Sequence, residues 1–219
     1  MALHNSTDSR APTPAAFMLI LTLLATFSGS SPASTEKIPA GHRTETATLA
    51  GGCFWSMNAI FQRLRGVERV VAGFSGGTAR NPSYEEVCAG STGHAESIQI
   101  TFDPAVISYR ELLEIFFVFH DPTTLDRQGA DEGAQYRSII FWHAPAQRAV
   151  AEQVIAELTR NRTFRAAIVT QVVPYVAFYP ADAHHQGYYD KNAKQSYCSI
   201  VIAPKLAKLK KVYASKLKP

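Results

Sequence analysis

Apolar and polar residues alternate from Thr46 to Ala50, the two-residue period of a short strand, and Met57, Ile60, Phe61 and Leu64 then recur at helical spacing. Between the two periods lies the turn Gly51-Gly52-Cys53-Phe54-Trp55. Val67 to Ser75 (VERVVAGFS) is rich in β-branched residues and runs into Gly76-Gly77, which reads as a strand and a turn. Asn81-Pro82 predicts a short helix with Asn81 as its cap and Pro82 in its first position, carrying Tyr84, Val87 and Cys88. In His94 to Phe102 (HAESIQITF), Ile98, Ile100 and Phe102 face one way and Ser97, Gln99 and Thr101 the other, a clear strand. Ser108 and Glu111 have capping-box spacing and open an apolar helix through Phe119. Further along, 138–142 reads as a buried strand, 146–158 as an amphipathic helix and 168–173 as another strand. The stretch 180–192 reads as one more helix, holding His184, His185, Tyr188 and Tyr189.

These elements alternate without a strict βαβ rhythm and without a phosphate-cradling glycine loop. Short strands with hairpin-like signals predict an α+β fold: a two-layer sandwich, helices packed on a mixed, largely antiparallel sheet. The loop 121–135 is long and rich in Asp, Gly and Thr, which points to function or mobility rather than mere connection.

Composition changes the picture mainly at the two ends. An apolar run from Ala15 to Phe27, followed by small residues with Ser31 and Ala33 at small-x-small spacing, reads as a signal peptide over 1–33. That predicts an exported, periplasmic protein, although Arg10 is the single basic residue ahead of the run and Asp8 offsets it. A loose segment, 34–43, precedes one domain over 44–204. The stretch 205–219 reads as a lysine-rich tail, a solvated helix face rather than a nucleic-acid site. The chain carries three cysteines, Cys53, Cys88 and Cys198, with no CxxC pair and no zinc-ligand spacing, so neither a disulfide scaffold nor a metal site is expected.

Cys53 sits where a strand ends and a helix begins. Unpaired N–H groups and partial positive charge at a helix start favour a thiolate, and two glycines permit a tight turn that leaves the sulfur uncovered. A buried structural cysteine is the competing reading on these residues alone.

Four stretches together resemble one family. Gly52-Cys53-Phe54-Trp55 is similar to the GCFW signature of the A-type peptide methionine sulfoxide reductases, with Ser56 where that signature usually continues with glycine. YEEVCAGSTGHAE (84–96), QGADEGAQYRS (128–138) and HQ-x-YY-x-KN (185–192) resemble the next three blocks, in order. The resemblance implies reduction of methionine S-sulfoxide, free or in proteins, as repair of oxidative damage. A sulfoxide needs a nucleophile for its sulfur and donors for its oxygen. The resemblance assigns Cys53 as nucleophile, Glu96 as the acid, and Tyr84 and Tyr136 as hydroxyl donors. Phe54 and Trp55 become the apolar corner for the S-methyl group, and Asp131 a polar residue for the substrate backbone. Glu96 can act as an acid at neutral pH only if burial raises its pKa; an ion pair with a lysine or arginine would lower it.

Oxygen transfer leaves a sulfenic acid on Cys53, which condenses with a second thiol. Cys88, beside Val87 and Ala89 on a short helix, reads as buried and inert. Cys198, in an expected mobile loop from Asn192 to Pro204, lies where the family often carries its resolving cysteine. A thioredoxin-like dithiol then recycles the disulfide. No cofactor is implied, and a monomer is expected. Three rival readings remain at this point. A general thiol–disulfide oxidoreductase would carry a CxxC pair. A cysteine hydrolase would use His94, His184 or His185 as base. A non-catalytic module would merely bind oxidised protein surfaces.

Overall fold

The computed structural model describes residues 43–219; the expected signal peptide lies outside the described residues. The first strand, β1 (Glu45–Ala50), leads through the glycine turn into α1 (Phe54–Phe61). Then follow β2 (Val67–Ser75), α2 (Tyr84–Cys88), β3 (Ala95–Phe102) and α3 (Tyr109–Phe119). The expected loop 121–135 contains a small hairpin of β4 (Arg127–Gln128) and β5 (Asp131–Glu132), then a 3-10 turn at Ala134–Tyr136. Next come β6 (Ile139–Trp142), α4 (Pro145–Arg160), β7 (Gln171–Pro174) and β8 (Phe178–Pro180). The 180–192 stretch is a 3-10 turn at Ala183–His185 followed by α5 (Tyr188–Asn192). A π-helical turn at Cys198–Ile202 runs directly into α6 (Ala203–Val212).

Six strands form one sheet in the order β7-β6-β1-β3-β2-β8. Neighbours are antiparallel except β6 and β7, so the expected mixed, mostly antiparallel sheet with helices packed on it is what forms. β3 lies at the centre. Its two-residue period places Glu96, Ile98, Ile100 and Phe102 on one face, where α1, α3 and α6 cover it, and Ala95 on the other. Ala95 joins Ala50, Ile139 and Phe141 in a second, smaller cluster. Burying each large side chain of the main core, such as Phe61, Phe102, Phe116 and Leu112, contributes roughly 1.5–3 kcal/mol.

The sheet must curl. β7 and β8 lie at its two edges, five strand steps or about 24 Å apart if flat, yet the chain passes from Pro174 to Phe178 in a reach of at most ~14 Å. A cavity of about 430 Å³ lies beneath this short strap, lined by residues from the end of β2 (Gly76), from β6 (Phe141), from β7 (Val173) and by Val176. Residues distant in strand order thus share one space.

Three local expectations differ from the structure. The cap of α2 is Ser83, not Asn81: Ser83 Oγ accepts from Glu86 N–H and Glu86 Oε2 accepts from Ser83 N–H, a complete capping box. Asn81 has φ 48°, a left-handed turn conformation rather than the extended one an N-cap uses. The segment around Cys198 is helical, not a loop. Its apolar residues Cys198, Ile202, Leu206 and Leu209 are spaced four, four and three apart and all are buried, so a helical stripe was present that the lysines obscured. The stretch from 205 onward does form a helix face with exposed lysines, but it packs on the domain instead of following it as a separate tail. Arg65 N–H donates to Lys216 C=O, Lys218 N–H to Arg63 C=O, and Leu217 bridges to Leu64.

Candidate active site

Both glycines before Cys53 are required, for different reasons. A side chain on Gly51 would collide with Phe116, 2.6 Å from the nearest ring carbon, so Gly51 lets α3 press against the turn. Gly52 has φ +87°, a conformation that disfavours other residues, and its open side is covered by Gln128 of β4. Gln128 also fixes the hairpin, accepting from Asp121 N–H at 3.0 Å and donating to Asp121 C=O at 3.1 Å. The hairpin thereby sets Asp131 beside Cys53.

Cys53 is the N-cap of α1, as the period change predicts. Its sulfur lies within hydrogen-bond reach of the Trp55 N–H, the Glu96 carboxyl and the Tyr197 hydroxyl. The expected thiolate is not the resting form. Burial, together with the nearby Glu96 and Asp131, pushes the thiol well above its usual range, outweighing the Tyr197 and helix N–H contributions that lower it. The thiol therefore holds its proton until something relieves that burden.

Glu96 comes from β3, facing the helix layer, and is 1% exposed. Its Oε2 accepts from Phe54 N–H at 2.9 Å, which ties the carboxyl to the start of α1. Burial raises its pKa to about 8, with Asp131 adding to the rise and the Phe54 and Cys53 hydrogen bonds opposing it. Among the described residues no lysine or arginine pairs with it, so Glu96 is a neutral acid at pH 7.

Tyr84 and Tyr136 converge on the same place. Burial first, then for Tyr84 its hydrogen bond with Cys88 and for Tyr136 the nearby Glu96, holds both phenols above their ordinary range, so both stay hydroxyl donors. Phe54 is buried and packs 6.1 Å from Tyr84 and 5.8 Å from Phe74, centroid to centroid. Trp55 stacks on Tyr188 at 3.7 Å and donates from Nε1 to His185 Nδ1 at 3.2 Å. The structure therefore brings Cys53, Phe54, Trp55, Tyr84, Glu96, Asp131 and Tyr136 together.

The other two cysteines reverse their expected environments. Cys88 is exposed, at the end of α2, with its thiol hydrogen-bonded to the Tyr84 hydroxyl one turn earlier. Cys198 is 0% exposed, in the π turn. The neighbouring residue, Tyr197, reaches the site instead, donating to Asp131 Oδ2 at 2.8 Å and lying against Cys53. Sequence reading missed Tyr197, and also His185 and Tyr188 as supports of Trp55. The signal for the latter pair was their place in a matching block; for Tyr197 it was adjacency to a cysteine already singled out.

Ser56, the departure from the signature, is buried at 2% exposure, and its hydroxyl has no hydrogen-bond partner among the described residues. None of the histidines named as possible bases is among the groups acting on Cys53. His94 accepts at Nδ1 from Gly77 N–H and donates from Nε2 to Ala79 C=O, while His185 Nδ1 is taken by Trp55.

Residues 45–217 match the family described as peptide methionine sulfoxide reductase. The peptide methionine sulfoxide reductase of Sulfolobus acidocaldarius is 53% identical over 172 residues, covering 78% of this chain and 97% of that protein. That of Polynucleobacter asymbioticus is 49% identical over 175 residues, covering 80% and 92%. Among solved structures, Mxr1 from Saccharomyces cerevisiae in reduced form superposes with a TM-score of 0.65 at 34% identity, covering 71% of this chain and 90% of that one. Methionine sulfoxide reductase A of Corynebacterium diphtheriae gives 0.62 at 34% identity, covering 69% and 76%.

Proposed function

Since the chain belongs to the peptide methionine sulfoxide reductase family, we propose that it reduces methionine S-sulfoxide, free or within proteins, through Cys53. It is an oxidoreductase. The observation that carries the site assignment is a neutral carboxylic acid, Glu96, bonded to a cysteine thiol at the start of a helix. Glu96 gives its proton to the sulfoxide oxygen while Cys53 attacks the sulfur, and the thiol proton replaces the one Glu96 lost. Tyr84 and Tyr136 donate to the oxygen, which carries growing negative charge before protonation. Phe54 and Trp55 hold the S-methyl group, with sulfur–aromatic contact adding to the apolar burial. Asp131 accepts from the backbone amide of the residue being repaired. The step balances as thiol plus sulfoxide giving sulfenic acid plus thioether.

Cys198 then condenses with the Cys53 sulfenic acid, releasing water and forming a disulfide, and a thioredoxin-like dithiol supplies the two electrons that reopen it. Supporting this choice, Cys198 directly follows Tyr197, which already touches Cys53. The apolar run and small-residue site near the N-terminus support export as the setting, tested by whether the mature protein from a periplasmic fraction begins at Ser34.

The decisive experiment is stoichiometry. Dithiol consumed in proportion to methionine formed supports the reading, and turnover without reductant sinks it. In Cys198→Ser without reductant, about one methionine per active site is expected, with a sulfenic acid trappable by dimedone. Absence of that burst, with Cys53 intact, removes Cys53 from its role. Peptide mapping of the wild type after one turnover should find Cys53 linked to Cys198; a Cys53–Cys88 link overturns the resolving assignment. The hydrolase reading is disfavoured because, among the described residues, the groups acting on Cys53 are Glu96, Tyr197, the Trp55 N–H and Asp131, with no histidine among them.

A further inference from the structure

The lysines of the C-terminal stretch are not alike. Lys208 donates to Val118 C=O and lies over the Phe119 ring, Lys216 pairs with Glu111, and Lys218 donates to Gln62 C=O. Each ties the tail to the domain. Among the described residues, Lys205 has no hydrogen bond and no ion pair, although it is only partly exposed in the first turn of α6.

Its direction follows from helix geometry. Eight residues separate it from Tyr197, and at ~100° per residue an unbroken α-helix sets such a pair ~80° apart. The π turn between them spends one extra residue and turns the register back by about 100°. Tyr197 and Lys205 therefore share a face to within about 20°. That face is the one aimed at the site, because the Tyr197 hydroxyl bonds Asp131.

We propose that Lys205 is a positioning cation of the reaction: its uncommitted ammonium, carried on the Tyr197 face of α6, stabilises negative charge on Cys53 when the sulfur attacks and when the disulfide is reopened. The surroundings make this the available source of positive charge. Cys53 is faced by Glu96 from β3, Asp131 from β5, and the hydroxyls of Tyr136 and Tyr197, none of them cationic. The charged groups whose fields reach Lys205 are Cys53, Asp131 and Lys208, and its own field reaches His120. His120 is buried, donates from Nδ1 to Phe116 C=O and is held neutral by that burial, so it does not compete. Burial draws the Lys205 pKa below its ordinary value, with Lys208 adding to the fall, and Cys53 and Asp131 oppose it, as for an ammonium held out of solvent beside negative groups.

The inference rests on Cys53 being the nucleophile, so its test reads Cys53 charge without turnover. In a Cys88→Ser, Cys198→Ser background, the rate of iodoacetamide alkylation is followed against pH. Lys205→Met and Lys205→Gln, two neutral variants so that one folding failure is not fatal, should raise the apparent thiolate pKa by about one unit. At a fixed pH below that pKa, alkylation should slow ~10-fold, and Lys205→Arg should restore it. A profile from either folded neutral variant that superposes on that of the parent overturns the proposal, as does an arginine variant as slow as methionine. The single-turnover burst described above can succeed or fail independently of this result.

Discussion

Glu96 shows how one residue's surroundings set a pH profile. Its folded pKa, about 8, stands above the ordinary 4.5. Because the acid form acts, kcat/KM should be level near neutrality and fall as pH rises through about 8. Glu96→Gln should lower activity by roughly 10²–10³-fold and abolish that descending limb. The linkage has the same direction: a raised carboxyl pKa contributes stability that is full below 4.5 and lost as pH rises to about 8. Denaturant midpoints across that window check it, with Glu96→Gln flattening the slope. Ser56 gives the opposite kind of residue, one that costs stability. Its buried hydroxyl has no hydrogen-bond partner among the described residues, and alanine is the better helix former, so Ser56→Ala should stabilise by about 1–2 kcal/mol in chemical denaturation. At this scale the sequence was informative wherever chemistry and pattern coincided. Cys53, Glu96, Tyr84 and Tyr136 were legible from matching blocks. The protonation of Cys53 was not, because it depends first on burial and then on Glu96 and Asp131, which are 43 and 78 positions away in the chain and meet it only in the fold.

Among the elements, β1, β2 and β3 were readable almost to the residue, because β-branched runs ended at glycine or proline. The stretch 193–203 was not. Lysines hid the four, four and three spacing of the buried stripe from Cys198 to Leu209, so Cys198 looked like loop and the π turn it occupies went unread. That turn bears on catalysis. If its spare residue were absorbed so that 198–202 became regular α-helix, everything ahead of it would rotate by about 100°, and Cys198 would take the angular place Tyr197 now holds. Tyr197 would then leave Cys53 as Cys198 arrived, without the helix unfolding. Deleting exposed Ser199 removes the spare residue while keeping Tyr197 on its present face. That variant should release about one methionine per active site yet form no Cys53–Cys198 disulfide. Normal disulfide yield after one turnover rules this exchange out.

For the whole molecule, the layer arrangement followed from element order, but the curl did not, because no local pattern reports the distance between the ends of a sheet. The strap from Pro174 to Phe178 decides it. Its consequence concerns other copies of the chain. The edge strands are four and three residues long, each ending in proline, and the strap bends them out of the plane in which a second sheet could dock. Four Gly/Ser residues inserted between Val176 and Ala177, where Val176 is already 85% exposed, should let the sheet flatten. Amide exchange should quicken in β7 and β8, and light scattering should rise with protein concentration. If the inserted protein stays monodisperse, the strap has no such protective role. On this reading three residues guard the enzyme that repairs oxidised proteins against joining aggregates of its own.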